Sequence, residues 1–507
     1  MPSVSNVFVA ALNLSVLVNG LTWTSCGTGV DCATLQVPLE YGDSANTAKA
    51  TIALARYKAT VAADKRLGSL LINPGGPGAS GVGFVQSGAG AAVSALSGGL
   101  YDVIGWDPRG TGASAPILEC FPNAKAEYDF NNAFPSAPNI WLGQFSNSAA
   151  DAAVKSAITA FDTSVAGLAK ACVAQKSPAL YTSSAAYVAR DMAAIVDAVD
   201  GASAKLNYWG FSYGTIFLTD QLPNDQVSVR ASLNDFSAFC TTAGKAGCSF
   251  AAAPAGVTGT VAARLDKIID NLFNNPIVAS GITINLGILS PVLASLLRVP
   301  TTWKTLASVL SGLETRDATA LVSLLGSLAD PAPKNGAAPG SISISQNTPI
   351  LSAGLIPITF CRNFPATRPR VANVGVGAMA KTDTQLATAK TPILIISAEN
   401  DPTTPLKSAQ ALRKLLPSSS VLAYRAGSGH TTVSHVSLGM ARVISNFFVS
   451  GALPKDGARF AVDQNIFPTA APNGLVTPAA YTGTYSAQDQ SLLKATYSIG
   501  LAFLAIA

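Results

Sequence analysis

Gly210-Phe211-Ser212-Tyr213-Gly214 follows the short apolar run Leu206-Asn207-Tyr208-Trp209 and precedes Thr215-Ile216-Phe217-Leu218. That order reads as a strand, a sharp turn and a helix start, with a serine at the apex. Glycine on either side permits the strained backbone that lifts a hydroxyl clear of the fold, where a base and a carbonyl carbon can both reach it. On its own the five-residue pattern also describes ordinary turns. Its meaning depends on whether the chain supplies the other parts of acyl-transfer chemistry.

A serine of this kind needs a base, and the chain has only 2 histidines, His430 and His435. His430 follows the glycine-flanked loop Ala426-Gly427-Ser428-Gly429 after the strand-like Val421-Leu422-Ala423-Tyr424, a position suited to presenting an imidazole. His435 stands where a helix is expected to begin, and either histidine could instead be a satisfied polar residue. A carboxylate is then required to orient the imidazole and stabilise its positive charge. Asp401 follows Pro392-Ile393-Leu394-Ile395-Ile396-Ser397-Ala398, the pattern of a strand buried on both faces, and precedes Pro402-Thr403-Thr404-Pro405. Glu399 competes with it from two residues earlier, and a solvated loop acid is the plain alternative for both.

The developing oxyanion needs fixed donors. Leu70-Leu71-Ile72-Asn73 runs into Pro74-Gly75-Gly76-Pro77-Gly78-Ala79-Ser80-Gly81, where amides can turn inward without interference from Cβ atoms. Gly75 or Gly76, paired with the amide of Tyr213, would form the hole. A glycine-rich loop can also cradle phosphate, but the Lys-Ser/Thr that a P-loop requires is absent after these glycines.

Loop, serine, acid and histidine occur in that order, each attached to its own apolar run. With Cys32 to Tyr41, Tyr101 to Ser114 (which contains Asp107-Pro108-Arg109-Gly110-Thr111-Gly112) and Val188-Ala189-Arg190-Asp191-Met192, these segments resemble the tripeptidyl-aminopeptidase-like branch of the α/β-hydrolases, related to the proline iminopeptidases. The resemblance spans roughly residues 20 to 500. It implies an α/β fold with a mostly parallel central sheet flanked by helices, and a serine hydrolase with Ser212, Asp401 and His430 as its triad. Release of short peptides or residues from free amino termini is the activity it favours. Esterase activity on small esters is the alternative, and no metal or cofactor is implied.

Composition fits a large packed enzyme of one to three domains. Hydrophobic residues make up 49% of the 507 and charged residues 12%, against a norm of about 25% charged. The 33 basic and 28 acidic residues are scattered, so no basic run suggests nucleic acid. The 7 cysteines form no C-x-x-C pair, and two histidines are too few for zinc sites of the usual kind. Disulfides are the better reading: Cys26 with Cys32 and Cys240 with Cys248 close small loops, Cys120 with Cys172 is the remaining pair, and Cys361 is left over. A reduced cytosolic chain is the alternative. Secretion is therefore expected on the cysteines and the resemblance, since the apolar stretch within residues 1–20 lacks a preceding basic residue and an A-x-A site. That stretch contains the sequon Asn13-Leu14-Ser15 and could equally be a first strand. Neither it nor the final apolar helix, Ser486 to Phe503 with Lys494 inside, is built to insert stably in a membrane.

The chain between Ser212 and Asp401 is more than twice the about 60 to 80 residues that two βα units with ordinary loops need. Gly259 to Phe273, Leu286 to Leu297, Trp303 to Leu313 and Ala318 to Leu328 space their apolar residues three and four apart, as helices do. The expected organisation is a signal-like segment at 1–20, a first core part at 21–235, a helical cap at 236–375 and a second core part at 376–507. A cap would exclude water and select substrate ends, with Asp266, Asp270, Glu314 and Asp317 as unranked candidates to grip an amino group; Asp330 to Ser341 reads as a loop within it. One departure from the family pattern stands out. After the elbow, a buried strand is expected between the serine strand and the acid strand, yet only Thr219 to Asp235 is available for it. Either Gln226 to Leu233 fills that gap imperfectly or the triad is loosened, which would leave a binding protein on a hydrolase scaffold.

Overall fold

The computed structural model describes residues 21–41, 43–133, 148–218, 225–328, 392–463, 466–467 and 485–506. The signal-like segment with its sequon, the Asp330 to Ser341 loop, Cys361 and residues 329–375 of the expected cap lie outside the described residues.

Strands β1 (Thr24–Gly27), β2 (Val30–Pro38) and β3 (Lys49–Tyr57) pair antiparallel in sequence. They are followed by β4 (Ser69–Asn73), helices α1 (Gly81–Phe84) and α2 (Gly90–Leu96), and β5 (Asp102–Trp106). Helices α3 (Ala124–Ala133), α4 (Ser148–Gln175), α5 (Ala179–Thr182) and α6 (Ala185–Asp200) lead to β6 (Asn207–Gly210). The strand order is β1-β2-β3-β5-β4-β6, with β5, β4 and β6 parallel. Every residue of β4 and β5 is buried, as their near-continuous apolar sequences require of strands covered on both faces.

Helices α7 (Asp225–Gly247), α8 (Val261–Asn274), α9 (Leu286–Arg298), α10 (Trp303–Glu314) and α11 (Thr319–Leu328), with the hairpin β7 (Ile277–Ala279) and β8 (Ile282–Ile284), make a helical unit. Its core is built on Phe236, Leu265, Leu289, Trp303 and Leu310, joined by Ile466 and Phe467 from later in the chain. The three-and-four spacing placed four of these helices to within two residues at each end. The chain then forms β9 (Ile393–Asn400), α12 (Leu406–Leu415), β10 (Ser420–Ser428), α13 (Leu438–Ser450), β11 (Ala458–Phe460) and α14 (Ala487–Ile506).

The last three strands form a separate parallel sheet in the order β11-β10-β9. A single central sheet was expected, and its interruption has a local cause. Gln226 to Leu233, the segment available for the intervening strand, is helical within α7. Among the described residues neither β6 nor β9 has a second strand neighbour. The two sheets instead share one apolar core in which Ile72, Trp209 and Phe211 meet Ala423, Val433 and Val436, with α14 packed across them. Three disulfides form, Cys26–Cys32, Cys120–Cys172 and Cys240–Cys248.

Asp200 fastens the end of α6 to the start of β4. Its carboxylate accepts the Ser69 amide at 2.7 Å, the Ser69 hydroxyl, and Arg66 Nη2 at 2.6 Å. Burial works to raise its pKa, but the Ser69 and Arg66 hydrogen bonds prevail and hold it below the ordinary 3.8. A depressed carboxylate contributes stability that is full above its unfolded pKa and lost as pH falls through the folded value. Replacing Asp200 by Asn should cost about 2 kcal/mol at neutral pH. In denaturant titrations at several pH values the gap to wild type should close below pH 3.8; a gap of constant size down to pH 2 would refute this account.

Candidate active site

Ser212 leaves the end of β6 with φ of 51°, in the left-handed region that side chains avoid. The strain is imposed by close packing on both sides. A Cβ on Gly210 would lie 2.6 Å from the Gly214 carbonyl oxygen, and one on Gly214 would lie 2.7 Å from that of Asn73. Only glycine fits either place. The Phe211 amide donates to the Asn73 carbonyl at 2.9 Å, which locks the turn to the end of β4. Such outliers persist where the surroundings over-determine them, and they cluster at functional sites.

The glycine loop after β4 lies directly against this turn. A Cβ on Gly75 would fall 2.6 Å from the Phe211 carbonyl, 2.7 Å from the Tyr213 nitrogen and 2.9 Å from the Ser212 Cβ, and φ at Gly75 is 99°. The three candidate donors are not equivalent. Gly75 already donates its amide to the Asn73 side chain at 2.8 Å, whereas the amides of Gly76 and Tyr213 meet no acceptor among the described residues. The loop is anchored at its far end by Asp107. That carboxylate accepts the Ser80 hydroxyl at 2.6 Å, the Val82 amide at 3.1 Å and the Ala113 amide at 2.8 Å, tying the loops after β4 and β5 together.

His430 and Asp401 are brought together. Asp401 is 1% exposed, so each oxygen must find donors inside the protein, and each does. Oδ1 lies 2.9 Å from His430 Nδ1 and accepts the Thr403 and Thr404 amides at 2.8 Å each; Oδ2 accepts the Thr431 amide and the Thr404 hydroxyl, each at 2.8 Å. Burial alone would raise the pKa of this carboxyl, but the imidazole and the amide donors outweigh it and keep Asp401 ionised below the usual carboxylate range. An ionised acid on Nδ1 assigns the proton to that nitrogen, which leaves Nε2 as the basic atom.

The competing residues lie elsewhere. Glu399 is paired with Arg459 at 2.8 Å and accepts the Gly427 amide. His435 is fully buried, edge-on to Phe239 at 6.2 Å between ring centres. Of the acids considered for an amino group, Glu314 is taken by buried Arg264 and Asp266 by Arg230. No hydrogen bond joins the Ser212 hydroxyl to His430 among the described residues, whereas His430 is bonded to Asp401.

Several supporting residues carry no sequence signal. Asp235 of α7 accepts Asn400 Nδ2 at 2.8 Å and the Ser428 hydroxyl at 2.6 Å, and the Ser232 hydroxyl reaches the Asn400 carbonyl at 2.9 Å. The helix that takes up Gln226 to Leu233 thus grips the segments leading to both Asp401 and His430. Arg298, at the end of α9, accepts the His430 amide on its carbonyl at 2.6 Å and donates Nε to the Thr403 hydroxyl at 3.1 Å. These contacts depend on helix placement, which periodicity does not specify.

A serine on a strained strand-to-helix turn, a glycine loop against it and a buried His–Asp couple define the class of α/β-hydrolases. Residues 366–459 match the family model described as TAP-like protein. Carboxylesterase B of Mycobacterium tuberculosis is 42% identical over 106 residues, 21% of this chain and 19% of that protein. A tripeptidyl aminopeptidase of Streptomyces coelicolor is 30% identical over 203 residues, 39% of this chain and 34% of that protein. Serine protease Hip1 of Mycobacterium tuberculosis is 35% identical over 122 residues, 22% of each chain. The matched segments thus span from 19% to 34% of the length of these relatives. These matches support an α/β-hydrolase of the TAP-like branch.

Replacing Gly75 by Ala tests the packing of the glycine loop on the elbow. The methyl group has no room and the wrong φ, so we expect a loss of roughly 2–4 kcal/mol. Thermal unfolding would measure it, and an alanine variant as stable as wild type would rule out the close approach described above.

Proposed function

We propose that the protein is a serine hydrolase in which Ser212 is the nucleophile, His430 the base and Asp401 its orienting acid. The observation that carries this reading is the buried His430–Asp401 couple, with Nε2 left basic, in a chain whose elbow holds Ser212 at positive φ. Ser212 Oγ would attack the carbonyl carbon as His430 Nε2 takes its proton. The amides of Gly76 and Tyr213 would receive the oxyanion, and His430 would return the proton to the leaving group. The engagement of Gly75 by Asn73 supports a two-donor hole without it. A small peptide is the substrate class we favour, cleaved from a free amino terminus, because the tripeptidyl aminopeptidase match is the longest of those above. The helical unit would act as a cap that limits which substrate ends enter. Three disulfides support secretion, and among the described residues no helix is long and apolar enough to cross a membrane.

Two other readings rest on particular observations. The match to carboxylesterase B favours small esters as substrates. The interrupted sheet and the missing Ser212–His430 hydrogen bond favour an impaired scaffold that binds without cleaving, since an ångström of misplacement costs about a hundredfold in rate.

A fluorophosphonate probe separates catalysis from binding: stoichiometric modification at Ser212, abolished in S212A, is expected, and an unlabelled serine would end the hydrolase reading. H430A and D401N should each lower kcat by about 10⁴-fold. Tripeptide anilides with free and blocked amino termini then divide the substrates. Cleavage of only the free form supports an exopeptidase, and cleavage of acetate esters alone transfers the assignment to an esterase.

A further inference from the structure

Arg425, near the end of β10, is 0% exposed and has no carboxylate within ion-pair distance among the described residues. A buried cation without a counter-ion is costly unless its donors are satisfied. Here they are satisfied by one loop. Nε donates to the Thr432 carbonyl at 3.1 Å; Nη1 to the carbonyls of Ala426, Gly427 and Ser428 at 3.0, 3.3 and 3.0 Å; and Nη2 to those of Gly429 and Thr431 at 3.2 and 2.9 Å and to the Ser434 hydroxyl at 3.0 Å. From Ala426 to Thr432 every carbonyl faces the guanidinium except that of His430. The loop is wrapped around the cation, with His430 projecting from it.

The residues on either side of His430 are both held at positive φ, Gly429 at 114° and Thr431 at 67°. Both carbonyls belong to the same nitrogen, Nη2. The conformation at Thr431 also aims its amide at Asp401 Oδ2, 2.8 Å away. We propose that Arg425 is the positioning residue for His430: its planar fork of donors holds the strained backbone that sets the imidazole on Asp401. Burial pushes the Arg425 pKa down to about 10, against the opposing pull of Asp401, Asp235 and Glu399, so the guanidinium stays charged at neutral pH. Lysine has three donors on a single atom and cannot span these acceptors.

The inference rests on His430 being the base, and its test keeps the two apart. Full-length R425K and S434A are compared with wild type and with S212A and H430A. The readouts are ester hydrolysis and the far-downfield proton resonance of an imidazole Nδ1–H bonded to a buried carboxylate, assigned by its loss in H430A. R425K should fold, lose at least about 100-fold in kcat with KM little changed, and lose or shift the resonance. S434A, which deletes one acceptor and spares the fold, should lose about three- to tenfold in kcat alone. Wild-type kcat and an unmoved resonance in folded R425K overturn the proposal. If R425K does not fold, S434A decides, and wild-type kcat there overturns it. Activity surviving in S212A or H430A would instead remove the hydrolase reading, and the resonance would still judge Arg425.

Discussion

Ser212 and His430 stand at the ends of strands of separate sheets, and the register between those sheets is kept largely by side-chain packing where a hydrogen-bond ladder was expected. Helix α14 does much of this. Phe503 packs against Phe84 and Phe211, with ring centres 5.1 and 5.4 Å apart, next to Ser212. One turn earlier, Gly500 sits so near the Val433 carbonyl that a Cβ would fall 2.6 Å from it. Two residues one turn apart on one helix thus touch the elbow on one side and the histidine loop on the other. Apolar packing is dense and resists compression, but it is not directional as a ladder is. The placement of Ser212 relative to His430 therefore rests mainly on shape, while the spacing of His430 and Asp401 rests on hydrogen bonds.

That contrast explains why one half of the site is closed and the other open. Asp401 satisfies both oxygens with five donors from two loops, and those loops are themselves held by Asp235, Arg298 and Arg425. Arg425 is buried and Asp235 and Arg298 are half-buried, and all are costly if left unpaired, so the couple cannot relax without breaking several contacts together. Ser212 is held as firmly, but by glycine packing against the loop after β4. The two halves meet across the shared apolar core, with the Tyr101 hydroxyl also donating to the Phe448 carbonyl at 2.9 Å.

Much of this was legible in the sequence. Apolar runs located β4, β6, β9 and β10, and punctuation by Gly and Pro located the loops that carry Ser212, Asp401 and His430. Amphipathic spacing found α8 to α11 nearly residue by residue. The shortfall after the elbow was legible too, as a strand with too few residues. Its resolution was not, because Asp225 to Leu233 carries neither strand alternation nor a clear helical stripe, and its helix is stabilised by tertiary contacts such as Phe236 on Trp303 at 5.7 Å. Likewise nothing in the run Tyr424-Arg425-Ala426 signals that the arginine points inward. Burial of a charge is decided by the acceptors a loop offers once folded, and periodicity does not report them.

The position of α14 in the chain has a temporal side. Every strand and helix it binds precedes it, so a ribosome-bound chain can complete both sheets, the helical unit and the His430–Asp401 couple before α14 packs against the elbow. A nascent protein released short of Gly500 would carry Ser212, Asp401 and His430 yet lack this wedge, which makes its packing between the elbow and the histidine loop a late event in synthesis.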